Sequence, residues 1–152
     1  MHRLSEKWVL WAHLPQETNW NMESYLSVMT VTYVEEMLSL IHTLPEKLIT
    51  DCMFFLMKEN ITPTWEDAHN KHGGCFSYKI NHHIQQTWRD VSYSLIGNTL
   101  STDTSFQKDI TGISISPKKN FCILKVWMGS CVHRDPSKIT LIKPEGCIFK
   151  KH

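Results

Sequence analysis

Hydrophobic positions along this chain follow two rhythms. Six short runs rich in β-branched and aromatic residues, at 8–12, 53–57, 75–80, 113–116, 121–127 and 138–142, predict strands. Ile113-Ser114-Ile115-Ser116 alternates with period two, the pattern of a strand buried on one face. Two other stretches keep the helical period. Val34, Met37, Leu38 and Ile41 fall at i, i+3, i+4 and i+7, which predicts a helix behind an N-cap at Thr32. Trp88, Val91, Leu95 and Ile96 make a second stripe, closed by Gly97 as C-cap. Helices interrupt the strands without regular alternation, so the pattern predicts an α+β fold: an antiparallel sheet with its helices segregated on one face.

Composition narrows this picture. At 152 residues, 41% hydrophobic and 20% charged, the chain can bury one sizeable core and is too short for two ordinary domains. Residues 1–152 are therefore expected to form one domain, as a monomer. A formal net charge of +1 excludes attachment to nucleic acid by bulk electrostatics, so any RNA contact must come from a local site. Five cysteines and no apolar leader before Trp8 predict a reducing compartment and a cytoplasmic protein. The apolar run 53–57 is too short for a bilayer, and no membrane partner is expected. On that reading the sequon Asn60-Ile61-Thr62 is an accident.

Two tryptophans in polar company carry the candidate chemistry. Trp20 lies in Glu17-Thr18-Asn19-Trp20, and Trp65 in Ile61-Thr62-Pro63-Thr64-Trp65-Glu66-Asp67. Turn formers and carboxylates place these indoles poorly for burial, whereas a flat π-face beside an acidic acceptor suits a planar, electron-poor base. They are expected to be two jaws of one pocket, with Trp8, Trp11 and Trp88 structural. Asp67 is expected to brace its turn, Gly73-Gly74 to supply positive φ for a hairpin, and His82-His83 to sit in a polar hairpin. Enzyme chemistry finds little support. Cys131, His133, Cys147 and His152 match no compact zinc knuckle, and Cys75 has no legible His and acid beside it. No metal or cofactor is expected.

Read in order, Trp8-Val9-Leu10-Trp11, Trp20, Tyr33-Val34-Glu35-Glu36, the Trp65-Glu66-Asp67 segment, Asn70-Lys71-His72-Gly73-Gly74 and Ser94-Leu95-Ile96-Gly97 resemble eukaryotic translation initiation factor 4E, the messenger RNA cap-binding family. The resemblance spans residues 2–127 and fades after Trp127, leaving 128–152 as a divergent tail. It implies a curved sheet shaped like a cupped hand, helices on its convex back, and capped messenger RNA, through 7-methylguanosine triphosphate, in its palm. Methylation makes guanine cationic, so stacking between Trp20 and Trp65 would yield about 1–3 kcal/mol per ring. Glu66 would accept both donors of the guanine edge, and Trp127 would meet the methyl group. Lys118 and Lys119 stand as candidates for the triphosphate. The family has an arginine at the position of Lys118, a lysine at Ile123 and an acid at Met53, so the phosphate grip is expected to be looser.

On the back, the resemblance implies a surface for the scaffold factor 4G or repressor peptides, built from His2, Leu4, Val34 and Leu38. Leu38 replaces a tryptophan and Arg89 and Tyr93 replace leucines, which predicts weakened scaffold binding. The tail is expected to lack a helix after Trp127, to expose an apolar strip, to keep a strand within 135–142, and to offer Lys150 and Lys151 as substitutes for a basic loop. The resulting expectation is a non-catalytic cap-binding module acting in translation initiation or its regulation. Its rivals are a decoy that holds caps without recruiting the scaffold, and a degenerate protein-interaction domain that binds no nucleotide.

Overall fold

The computed structural model describes all 152 residues. In chain order it contains β1 (Arg3–His13), β2 (Leu26–Tyr33), α1 (Val34–Thr43), α2 (Glu46–Asp51), β3 (Met53–Lys58), β4 (Gly74–Ile80), α3 (Ile84–Ile96), α4 (Thr104–Asp109), β5 (Ile110–Pro117), β6 (Cys122–Met128) and β7 (Ile148–Lys151). The strands make one antiparallel sheet in the order β2-β1-β3-β5-β6-β4-β7, the α+β class expected.

Strand alternation sorts the side chains between two faces. Trp8 and Leu10 of β1, Phe54 and Leu56 of β3, Ile113 and Ile115 of β5, and Leu124 and Val126 of β6 join Met37, Ile49, Trp88, Leu95 and Phe106 of the helices in the main core. On the opposite, open face a smaller cluster holds Phe55, Met57, Ile61, Cys75 and Trp127, with Trp11, Tyr25 and Met53 packed against it. Strand β3 serves both clusters, which is why residues 53–57 read as unbroken apolar sequence.

Several local expectations need correction. The N-cap of α1 is Tyr33, not Thr32, and the Glu36 carboxylate accepts both the Tyr33 N–H at 2.9 Å and the Thr32 N–H at 3.1 Å. The core-facing stripe of this helix is Met37, Leu40, Ile41 and Leu44, while Leu38 points outward at 41% exposure. Gly97 caps α3 as expected, but the left-handed residue after it is Asn98. His82-His83 is no hairpin: His83, at φ 54°, turns the chain from β4 into α3. Neither Gly73 nor Gly74 has positive φ. Both are needed for close approach, because a Cβ would strike the Met128 carbonyl at Gly73 and the Lys150 carbonyl at Gly74.

The tail also differs from expectation. Residues 138–142 are not a strand: Asp135 accepts the Ser137 N–H at 3.0 Å and caps a 3-10 turn at Pro136–Lys138. The strand beside β4 is β7, paired from Gly74↔Lys151 to Ser77↔Ile148. No α-helix follows β6; instead Ile139 plugs the core at 2% exposure, tied down by the Thr140 N–H donating to the Leu100 carbonyl at 3.0 Å. The predicted apolar strip shrinks to Val132, Leu141 and Ile148, which remain exposed.

Between β3 and β4 the loop 59–73 is folded on itself by two side chains. Asp67 accepts the Thr62 N–H at 2.8 Å and hydroxyl at 2.9 Å, and the His69 N–H at 2.8 Å. Asn70, fully buried, donates to the carbonyls of Thr62 and Thr64 at 3.3 and 2.9 Å and accepts the Thr111 hydroxyl of β5 at 2.7 Å. Burial alone would raise the Asp67 carboxyl, but these N–H and O–H donors together with the His69 ring outweigh it and hold the group down to about 2. A carboxyl depressed on folding stabilises the native state above its unfolded value near 3.8 and loses that contribution as pH falls through about 2. Urea unfolding should therefore show the wild type losing about 2 kcal/mol more than Asp67→Asn between pH 5 and pH 2, the variant lacking the titrating group. Equal losses would remove Asp67 as the brace of this loop.

Candidate functional site

The end of β1 and the loop after it set one side of the open face. His13 points its Nε2 at the Asn19 carbonyl, 2.8 Å away, and the Asn19 N–H donates to Glu17 at 2.9 Å. Asn21 then accepts the Ser24 N–H at 3.2 Å and starts a 3-10 turn at Met22–Ser24. These bonds set Trp20 flat against His13, with ring centroids 3.7 Å apart and planes 3° from parallel. Tyr25 meets both rings edge-on. Trp20 nevertheless stays 55% exposed, on a cavity of about 530 Å³ that also receives Glu17, Asp51, Lys118, Lys125 and Trp127.

Trp127 forms the floor. Its indole is 7% exposed, and its N–H donates to the Ser114 hydroxyl on the neighbouring β5 at 3.0 Å, which leaves the ring no polar debt. Ring contacts run from His13 and Trp20 through Tyr25 and Phe55 to Trp127 and on to His152, each pair with centroids 3.7–6.3 Å apart.

Trp65, also 55% exposed, lines a second cavity of about 420 Å³ together with Cys75, Lys125, Trp127, Lys150, Lys151 and His152. The two jaws expected in one pocket thus stand on adjoining cavities whose shared residues are Lys125 and Trp127. Glu66 is exposed beside Trp65. Burial raises the Tyr25 hydroxyl, and the Glu66 charge raises it further, so this carboxylate is felt across the face toward Trp20. Burial pushes the Cys75 thiol up to about 12 despite the Lys125 charge, which makes it an unreactive packing residue. Burial, then Lys125, lowers the His152 imidazole.

The cations distribute unevenly. Lys118 lines the Trp20 cavity, whereas Lys119 is exposed in the β5–β6 turn and lines neither cavity. Lys125 belongs to both and went unread in the sequence, although counting back by two from Trp127 puts it on the same face of β6. His13 was equally legible by counting two on from Trp11. Tyr25, just before β2, carried no signal, and His152, just after β7, was weighed only as a metal ligand, because neither strand was foreseen. No group of three or more His, Cys, Asp or Glu side chains is arranged to hold a metal.

On the helix-covered side, the His2 carbonyl accepts the Val34 N–H at 2.8 Å, and its own N–H meets both Glu35 carboxylate oxygens at 3.0 Å. The ring bond between His2 and Glu35, at 2.6 Å, holds that carboxyl down to about 2. The start of the chain is thereby fastened to α1, with Leu4 and Val34 half-buried and Leu38 exposed beside them.

Comparison with known proteins bears on the fold and the family. The chain is 32% identical over 146 residues to eukaryotic translation initiation factor 4E-1 of Schizosaccharomyces pombe, covering 88% of this chain and 63% of that protein. It is 27% identical over 152 residues to factor 4E of Candida albicans, covering 93% and 69%. The chain thus spans about two thirds or less of the length of such relatives. Among solved structures, C. elegans eIF4E-3 in complex with Mextli and a cap analog superposes with a TM-score of 0.85 at 18% identity, covering 99% of this chain and 92% of that one, a likeness of fold. Schistosome eIF4E complexed with m7GpppG and 4E-BP gives 0.77 at 26% identity, over 87% and 74%. The family model for eukaryotic initiation factor 4E matches residues 3–145, and the chain belongs to that family.

Proposed function

We propose that the open face binds the 7-methylguanosine cap of messenger RNA, with the base stacked between Trp20 and Trp65 and its guanine edge read by Glu66. The observation that carries this reading is the pair of half-exposed indoles on cavities that share Trp127 and Lys125. Exposed tryptophan is a poor use of hydrophobic area unless a partner covers it. Relatives of this fold solved with a cap analog or with m7GpppG support cap binding in general.

A cationic base entering over Trp127 bridges the two cavities and brings one indole to each of its faces. Electron-poor methylguanine gains more from those faces than neutral guanine does. Glu66 accepts the two donors of the guanine edge, a pattern adenine does not offer. Behind the base, Lys118 and Lys125 supply charge for the phosphates as point charges rather than rigid forks. The role is non-catalytic and belongs to cytoplasmic translation.

A second reading, a cap-holding decoy, is favoured by one observation: the outward residue at the helical docking surface is Leu38, without an indole to anchor a peptide.

Three outcomes follow. Calorimetric titration with 7-methyl-GTP should show Trp20→Ala, Trp65→Ala and Glu66→Ala each weakening binding by about 1–3 kcal/mol, with wild type preferring 7-methyl-GTP to GTP; unchanged affinity in all three rejects the site. Lys125→Met should cost about 1 kcal/mol against 7-methyl-GTP and far less against 7-methylguanosine, which has no phosphates; equal losses would take Lys125 off the phosphate path. Leu38→Trp should strengthen binding of a factor 4G-type helical peptide by about 2 kcal/mol, read by fluorescence anisotropy; tight binding by the unaltered chain would dismiss the decoy reading.

A further inference from the structure

Cap binding as described leaves open which way the phosphate chain runs, and the charges of the open face are sorted. The Trp20 cavity sets two carboxylates, Glu17 and Asp51, beside Lys118 and Lys125. The Trp65 cavity holds Lys125, Lys150 and Lys151, and no Asp or Glu lines it. Glu66 stands next to Trp65 and is engaged by the guanine edge in the reading above. A phosphate chain leaving the base therefore meets repulsion on one side of Lys125 and unopposed positive charge on the other.

Strand register supplies what would receive it. β4 runs between β6 and β7, with Ser77 opposite Lys125 on one side and Cys75 opposite Lys150 on the other. Residues directly opposite, and residues two apart along one strand, share a face. Cys75, Ser77, Lys125 and Lys150 accordingly stand together on the open face, where Cys75 packs with its partner Trp127. Two small side chains floor a trough, and a lysine rises from the strand on either side, two spacings of about 4.8 Å apart. Flexible four-carbon stems let both ammoniums meet one phosphate group. The floor does not oppose it: burial keeps the Cys75 thiol protonated, and the Ser77 hydroxyl can donate.

We propose that Lys125, Lys150 and Ser77 form the seat of the phosphate chain, and that Glu17 and Asp51 steer the chain into it, leaving Lys118 the lesser contributor. The inference rests on the cap-binding reading. Its consequence is that the carboxylates of the Trp20 cavity are positioning residues, acting by repulsion on a ligand they do not touch.

The test is calorimetric titration with 7-methyl-GTP and with 7-methylguanosine at low ionic strength and neutral pH, where exposed charges are least screened. Lys150→Met should weaken 7-methyl-GTP binding about fivefold and move 7-methylguanosine by less than about twofold. Lys150→Arg should keep the wild-type affinity, and Lys118→Met should cost about twofold at most. Glu17→Gln combined with Asp51→Asn should tighten 7-methyl-GTP about threefold. Adding Lys118→Met to that pair should then cost about as much as Lys150→Met does in wild type, because nothing bars the chain from Lys118 any longer. All of these differences should shrink in high salt. Should Lys150→Met lose its fold by circular dichroism, Lys150→Gln replaces it, with the same expected losses. A larger loss from Lys118→Met than from Lys150→Met, or equal losses of both ligands in Lys150→Met, overturns the seat and leaves cap binding standing. Failure of wild type to bind either methylated ligand overturns cap binding, and this inference with it.

Discussion

The buried carboxamide of Asn70 is the constraint on which the open face depends. Its NH2 group satisfies two carbonyls of the loop between β3 and β4, and its oxygen takes the hydroxyl of Thr111 on β5. A loop of this length has no regular ladder to satisfy its backbone, and each buried polar group left unpaired costs about 1–3 kcal/mol. Asn70 discharges three at once and welds the loop to the sheet. Asp67 closes the inner turn in the same way. With Thr62, Asp67 and Asn70 committed inward, Trp65 and Glu66 are among the side chains left facing outward.

The two indoles are supported differently. Trp20 lies flat on His13 with Tyr25 at its edge, a three-ring block fastened to β1 through the Asn19 carbonyl. Trp65 has no such stacked partner and stands 55% exposed on its loop. The face therefore has one wall backed by stacked rings and one carried by a braced loop, over a floor fixed by the bond from Trp127 to Ser114.

Much of this was legible in the sequence, for identifiable reasons. Strands β3, β4, β5 and β6 announced themselves by apolar density, and α3 by a stripe whose members are buried as read. Strand β2 was not, because Ser27, Thr30 and Thr32 dilute it and its edge position leaves Leu26 and Val28 exposed. The stripe of α1 was right at Met37 and Ile41 only: Leu40 and Leu44 take the places expected of Val34 and Leu38, they fit the helical period as well, and only packing separates the two sets. Residues 138–142 look like a strand by composition, but Pro136 and the Asp135 cap spend them on a turn that seats Ile139 in the core. The tryptophans of the open face were found by their polar neighbours. Lys125 and His13 needed the strand to be counted, and His152 needed a pairing between segments more than seventy residues apart.

Strand β7 lies at the rim of the sheet, is four residues long and pairs with β4 alone. Such a strand frays more readily than the centre of the sheet. Yet it alone delivers Lys150, Lys151 and His152 to the Trp65 cavity. Two of that cavity's three lysines are accordingly conditional on the strand staying zipped: each transient unpairing at the rim leaves Lys125 alone, and an anion seated there would act as a clasp on β7.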